Sequence, residues 1–191
     1  MVKKLPAVAL RGMVILPGMI AHFDVSREKS IKAVEACMME EQKIFLVTQK
    51  DVEQEDPAQE DLYRIGIIAE VKQVIKLQNN IVRILVEGKE RAELSSFLDH
   101  PEYLLAEVVC FDETEEELTG EVQMAMVRGI QETFERYGAV NKRLGKELQR
   151  QVRENTELEK LMDQLANNLP VGYEEKQKIL EAVSLTERYE V

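Results

Sequence analysis

The sequence predicts an α+β protein in which a strand-rich part is followed by a helical part. Over residues 1–111, apolar residues alternate with polar ones or form short β-branched runs, as they do in strands. Over residues 118–191, apolar residues recur every three or four positions, as they do on helices. The change falls at the acidic block 112–117. We therefore predict a β-rich subdomain, an acidic junction and a helical-bundle subdomain.

Length and charge limit the classes of protein that need to be considered. A chain of 191 residues is long enough for two modest cores. It carries 36 acidic against 25 basic residues, and no basic cluster offers a binding surface for nucleic acid or an anionic membrane. The longest apolar run, 13–21, is broken by Pro17 and Gly18 and is too short to span a bilayer. We expect a cytoplasmic protein without nucleic-acid or membrane partners.

The first elements of the β-rich part follow from local patterns. Residues 21–25 alternate apolar and polar side chains, which predicts a strand with one buried face. Ser26 is then expected to cap a helix. The apolar residues of that helix share one face: Ile31, Val34 and Met38. Residues 43–48 form a β-branched and aromatic run, which predicts a central strand.

The remainder of this part predicts a hairpin and further strands. Residues 49–61 are acidic and lack the spacing of a calcium-binding EF-hand, so we interpret them as a surface loop. Residues 65–77 and 81–88 fit a hairpin whose asparagines tolerate a positive φ at the turn. The apolar pattern changes parity between Val71 and Val74, which predicts a bulge. Five or six strands with one helix favour a small, partly closed barrel.

The helical part begins with a long amphipathic segment whose apolar residues run from Val122 to Tyr137, with an expected end at Gly138. Three shorter helices are predicted around 144–152, 158–165 and 173–183, and we group all four into one bundle. A further helix start at Ser184 leaves room for only two turns, so we expect this last helix to be truncated.

Motifs for catalysis or cofactor binding are missing from the sequence. The two cysteines, Cys37 and Cys110, lack a C-x-x-C or metal-ligand spacing and are expected to be buried and reduced. No phosphate-binding loop, zinc motif or nucleophile elbow is found. We predict no catalytic residue, no cofactor site and no metal site.

The opening block carries the most specific pattern in the chain. Residues 6–17 fit P-x-x-x-L-R-x-x-V-x-x-P, and residues 25–30 fit V-x-R-x-x-S. In order and spacing, this block resembles the N-terminal domain of the Lon family of ATP-dependent proteases. The resemblance continues through residues 61–66 and 83–88 and covers most of the strand-rich part.

The resemblance implies a fold and a role. The fold is a PUA-like small β pseudo-barrel with one helix, followed by an α-helical bundle. In full-length members an ATPase module, which holds ATP and Mg²⁺, and a Ser-Lys peptidase module follow. The sequence contains neither, so it is expected to be a non-catalytic fragment of an ATP-dependent serine endopeptidase. The implied partners are unfolded or degron-bearing proteins and the other Lon subunits of a homohexamer.

Capture of unfolded clients requires an adaptable apolar surface, for which methionine is well suited. We assign the candidate surface to the opening segment and two neighbouring regions. The candidate residues are Leu10, Met13, Leu16, Pro17, Met19, Phe23 and Leu77. The alternative for each of them is that it only closes the barrel.

Two other functions remain open from the sequence. One is a stand-alone PUA-like module that binds RNA or a small ligand, which a basic stripe with exposed aromatic residues would favour. The other is a purely structural oligomerisation domain, which a stable oligomer in sedimentation would favour.

Overall fold

The computed structural model describes residues 2–98, 100–111, 119–140, 145–168 and 172–182. These residues divide into two compact units. The β unit comprises the described residues of Met1–Glu113 and Gly172–Glu181, and the helical unit those of Thr114–Val171 and Ala182–Val191. The α+β class predicted from the sequence is confirmed.

The β unit is one mixed six-stranded sheet with two α-helices and a short 3-10 turn. Its elements are β1 (Val2–Leu10), β2 (Ile20–Val25), α1 (Glu28–Met39), β3 (Lys43–Thr48), the 3-10 turn (Gln59–Asp61), β4 (Ile65–Lys76), β5 (Val82–Leu98), β6 (Leu104–Cys110) and, from the chain end, α5 (Tyr173–Glu181). The strand order is β2-β5-β4-β3-β1-β6, and β5 also pairs with β6. The 17-residue strand β5 makes this closure possible, because its first half pairs with β2 and its second half with β6.

Helix α1 covers one face of the sheet. Its buried side chains are Ser30, Ala33, Val34 and Cys37. The predicted cap is wrong, because α1 begins at Glu28 and its N-cap is Arg27, without a side-chain cap bond. Val25 is still paired with Val82 of β5, so Ser26 lies too close to the strand end to take the cap position.

The hairpin between β4 and β5 confirms the predicted turn and the predicted bulge. Asn79 and Asn80 have φ values of 62° and 55°, in the left-handed region that asparagine tolerates. The register between β4 and β5 shifts between Val71 and Gln73. The extra residue there accounts for the change of parity in the apolar pattern.

The helical unit contains α2 (Gly120–Val140), α3 (Lys146–Glu154) and α4 (Leu158–Asn168). Their shared core consists of Val127, Phe134, Val152, Leu158, Leu161 and Met162. The predicted end of α2 at Gly138 is two residues too early. The turn after α3 is fixed by Gln131, whose side-chain amide donates to the carbonyl oxygens of Val152 and Asn155 at 3.0 and 2.9 Å.

Helix α5 packs on the β unit, whereas the sequence interpretation grouped it with the bundle. The Gln177 amide donates to the Ile65 carbonyl oxygen at 2.9 Å, and Arg91 Nε donates to the Leu180 carbonyl oxygen at 3.0 Å. Polar contacts of this kind do not affect the spacing of apolar residues, so the sequence pattern did not indicate which unit α5 joins. The acidic junction 112–117 and the helix expected from Ser184 lie outside the described residues.

The two cysteines are free thiols in different surroundings. Cys37 lies in the core at 1% exposure, and Cys110 is half-buried at the end of β6. Burial raises the pKa of the Cys37 thiol from 9.0 to about 12, and the nearby Glu40 carboxylate adds to this effect. Burial also raises the pKa of Cys110. A thiol is far less nucleophilic than a thiolate, so neither residue is set up as a catalytic nucleophile.

We expect the Cys37 thiol of the folded protein to resist alkylation by iodoacetamide at pH 8.5, while urea-unfolded protein is alkylated within minutes. Mass spectrometry of a Cys110→Ala variant measures this without interference. Because the unfolded chain loses the thiol proton near pH 9 and the folded chain retains it to about pH 12, the same burial lowers stability as the pH rises through this window. Stoichiometric labelling of Cys37 in folded protein would contradict the burial.

Candidate functional site

The predicted surface residues separate into buried and accessible groups. Leu10 and Leu16 are 3% and 1% exposed and belong to the core, so little of either side chain is accessible. Leu10 ends β1 in the core cluster that α1 covers, and the chain from Val14 to Leu16 is buried as well. Met13, Pro17, Met19 and Phe23 are half-buried and keep part of their side chains accessible.

The segment between β1 and β2 has a defined shape. The Met19 N–H donates to the Leu16 carbonyl oxygen at 3.0 Å, and Gly18 has a φ of +78°. Proline followed by glycine in this geometry forms a type II turn. Gly18 and Met19 are also bonded to Gly88 of β5 through its carbonyl oxygen and its N–H, both at 2.9 Å.

This turn presents apolar side chains at the start of β2. Pro17 and Met19 are half-buried, and Ile20 is 65% exposed. We call these three residues the turn surface. The sequence interpretation missed Ile20, although the alternation of β2 reveals it: Ala21 and Phe23 face the core, so Ile20 faces outward.

A second apolar region lies on the outer face of β2, β5 and β4. A shallow depression of about 270 Å³ is lined there by His22, Gln73, Ile75, Arg83 and Leu85. Ile75 is 42% exposed, and Leu77, at the hairpin end, is 38% exposed. Arg83 donates two hydrogen bonds to Asp24, at 2.8 and 3.2 Å, and the pKa of Asp24 is lowered chiefly by that bonding.

The third accessible feature is a slot of about 200 Å³ between β1 and β2. It is lined by Val8, Ala9, Leu10, Arg11, Met13, Phe23, Asp24, Val25, Ser26, Arg27 and Ser30. Three predicted residues thus meet in one place: Leu10, Met13 and Phe23. Thr48 Oγ1 fixes the backbone there by donating to the Met13 carbonyl oxygen at 2.8 Å.

The slot also has a polar side that the sequence interpretation missed. Arg11 is exposed and Arg27 half-buried. The pKa of Arg27 is lowered by burial and by the charge of Arg11. Both arginines stand in the spaced patterns of the opening block, and Ser30 ends the second pattern. The positions of the two arginines in those patterns were the sequence signal that could have identified them as site residues.

Groups of metal-ligating side chains and membrane-spanning helices are both absent from the described residues. No group of three or more His, Cys, Asp or Glu side chains among those residues is arranged to hold a metal ion. Among the same residues, no helix combines the length and apolar character needed to cross a membrane.

Comparison with known proteins identifies the family of the chain. A family model described as the ATP-dependent protease La (LON) substrate-binding domain matches residues 4–191. The chain belongs to this Lon domain family. The Lon protease of Lachnoclostridium phytofermentans is 45% identical over 188 residues, and that of Brevibacillus choshinensis is 39% identical over 189. The chain spans 98% and 99% of its own length in these alignments, but only 23% and 24% of these relatives.

Solved structures show the same Lon N-terminal fold. The N-terminal domain of a Mycobacterium avium complex Lon protease superposes with a TM-score of 0.71 at 22% identity, covering 98% of this chain and 95% of that one. A Lon N-terminal domain protein from Xanthomonas campestris gives a TM-score of 0.65 at 14% identity, with the same coverage. At these identities the likeness concerns the fold alone.

Proposed function

We propose that this Lon substrate-binding domain captures unfolded or degron-bearing protein segments on the turn surface and in the slot. The observation that supports the proposal most is the exposure of Ile20, at 65%, beside the half-buried Pro17 and Met19. Met19 packs partly against the core, and the apolar area that it, Pro17 and Ile20 leave exposed at one turn supports a surface for contact with other polypeptides.

The chemistry of these side chains suits many different clients. Methionine is unbranched and polarisable, so Met13 and Met19 can adapt to side chains of different shape. The backbone of Met19 is fixed by the type II turn and its bonds to Gly88, and that of Met13 by the bond from Thr48, so little order is lost on binding. Each buried Å² of apolar area contributes only about 25 cal/mol, so the small patch implies weak, reversible capture.

Met19→Asp is expected to weaken the binding of an unfolded, permanently reduced polypeptide at least fivefold while the fold is retained, because a charge would have to be buried in the contact. The measurement is an NMR titration of the 191-residue chain with an unfolded client. Met39→Asp, at the 88% exposed end of α1, is the matched control and should leave the affinity unchanged. Equal loss in both variants, or no loss in either, would reject the turn surface.

We further propose that the domain contributes to contacts between subunits and needs no cofactor of its own. Several apolar side chains on α2 are exposed, including Met124 at 58% and Val140 at 85%, and these support a surface for association. Sedimentation of the chain over a range of concentrations tests this. We expect a monomer that forms a weak dimer at high concentration, and a chain that stays monomeric throughout would contradict the contribution to subunit contacts. Cytoplasmic residence remains a prediction from the sequence.

A further inference from the structure

The slot lies between two strand edges that carry unpaired backbone groups. On the β1 side, Leu10 accepts a hydrogen bond from Gln49 N–H, so in the parallel ladder Val8 and Leu10 face β3. Ala9 therefore directs its N–H and carbonyl oxygen to the opposite side. Strand β6 pairs with β1 only as far as Ala7, so no strand among the described residues covers Ala9 there.

Strand β2 presents a matching edge. Met19 accepts a hydrogen bond from Gly88 N–H, so in this antiparallel ladder Ala21, Phe23 and Val25 are bonded to β5. The N–H and carbonyl oxygen of Asp24 then point away from β5. β2 ends the strand order, and no pairing between β1 and β2 occurs in the part of the chain described. An extended peptide segment would find backbone partners on both sides of the slot.

The charge at the slot is positive, in contrast to the acidic chain as a whole. Arg11 and Arg27 both line it, and within the described residues no carboxylate pairs with either guanidinium at 4.0 Å or less. Arg27 Nη2 donates to the Gln54 carbonyl oxygen, at 3.0 Å. Asp56 attracts Arg27 through space without pairing with it, and its carboxylate pairs instead with Lys29 at 3.5 Å.

Asp24 does line the slot, and its carboxylate is held by two hydrogen bonds from Arg83. Glu55 contributes to the field at Arg27 without pairing with it. The two arginines repel each other, and no carboxylate among the described residues forms an ion pair with either. An anionic group placed between them would relieve this repulsion.

The N-terminal turn of helix α1 adds hydrogen-bond donors at the slot. Ser30 lines the slot and is 5% exposed, and its hydroxyl has no hydrogen-bond partner among the described residues. The first N–H groups of a helix have no partner within the helix, and its N-terminus favours negative charge. The first bond within this helix runs from Ile31 N–H to the Arg27 carbonyl oxygen, at 3.0 Å.

We propose that the slot binds the C-terminal carboxylate of an extended polypeptide, between Arg11, Arg27 and Ser30, with the last apolar side chains against Met13 and Phe23. This inference rests on the proposed function and specifies which end of a client polypeptide is bound. A volume of about 200 Å³ has room for only one or two residues, which suits a chain end better than a strand passing through. The free carboxylate accepts charge-assisted hydrogen bonds from guanidinium groups.

The test compares two N-terminally labelled hexapeptides of alternating valine and threonine, one with a free C-terminal carboxylate and one with a C-terminal amide. Fluorescence anisotropy with the full 191-residue chain should show the free acid binding about tenfold more tightly, the range expected of a charge-assisted contact. Arg11→Gln and Arg27→Gln should each remove most of this difference. Arg64→Gln, whose guanidinium pairs with Glu93 at 2.6 Å, is the matched control and should retain it.

Amide chemical shifts locate the peptide and separate the two proposals. Shifts of Ala9 and Asp24 that appear only with the free acid support carboxylate capture. Equal affinity of acid and amide, with shifts at the turn surface, overturns it and leaves the proposed function standing. An amidated peptide with an internal glutamate that binds as tightly as the free acid also overturns it. Failure of every peptide and of an unfolded client to bind overturns both proposals.

Discussion

Gly88→Ala is expected to destabilise the β unit by about 3 kcal/mol, because the neighbouring atoms leave no space for a methyl group at this position. A Cβ there would collide with the Leu16 carbonyl oxygen and lie 2.8 Å from Ile67 Cδ1. The Leu16 oxygen is backbone and accepts the hydrogen bond of the type II turn, so it cannot rotate away. Urea denaturation followed by circular dichroism measures the change in the free energy of unfolding.

Gly172→Ala is the matched control for this substitution. Gly172 belongs to the same unit, and nothing lies within 4 Å of a Cβ added there. We expect its stability to change by less than about 1 kcal/mol. The Gly88 variant should also lose affinity for clients, because the turn that carries Met19 is bonded to Gly88. Equal stability of the two variants would show that the close approach of Leu16 is not required by the fold.

Phe45→Ala is expected to lower the free energy of unfolding by about 3 to 5 kcal/mol, which is a large fraction of the total for a typical domain. Phe45 is fully buried at the centre of β3. Its ring lies directly over Gly66, where an added Cβ would come within 2.7 Å of Cζ, so the space is shaped around this side chain. Truncation leaves a cavity that the surrounding strands cannot fill without breaking their pairing.

The matched control for Phe45 is Phe111→Ala, a half-buried position just after β6. Loss of the Phe111 ring should lower the free energy of unfolding by well under half as much as loss of the Phe45 ring, since less apolar area returns to water. Differential scanning calorimetry of both variants provides the comparison. A Phe45 variant that melts within a few degrees of the wild type would contradict the central place of β3 in the core.

Local patterns predicted much of the fold because they reflect forces between near neighbours. The alternation from Ala21 to Val25 gave β2, and the paired asparagines gave a turn whose positive φ values the structure confirms. The change of parity after Val71 located a bulge to within two residues. Each of these features depends on side chains only a few positions apart, so the order of residues alone carries the information.

The candidate surface was less predictable, because burial depends on distant partners. Leu10 and Leu16 are as apolar as Ile20, yet the first two lie in the core and the third is 65% exposed. Sequence composition cannot distinguish these cases. Arg11 and Arg27 are 16 positions apart in the chain, and only the return of β2 toward β1 places them on one slot.

The sequence by itself determined the class of fold, the family and the order of most elements, since apolar periodicity and the spaced residues of the opening block are local properties. Only the tertiary structure decided which residues face solvent, that β5 closes the sheet on β6, and that α5 joins the β unit. Those outcomes depend on contacts between remote segments, such as Gln177 with Ile65. Such contacts form only where the chain brings two surfaces together, so no local pattern records them.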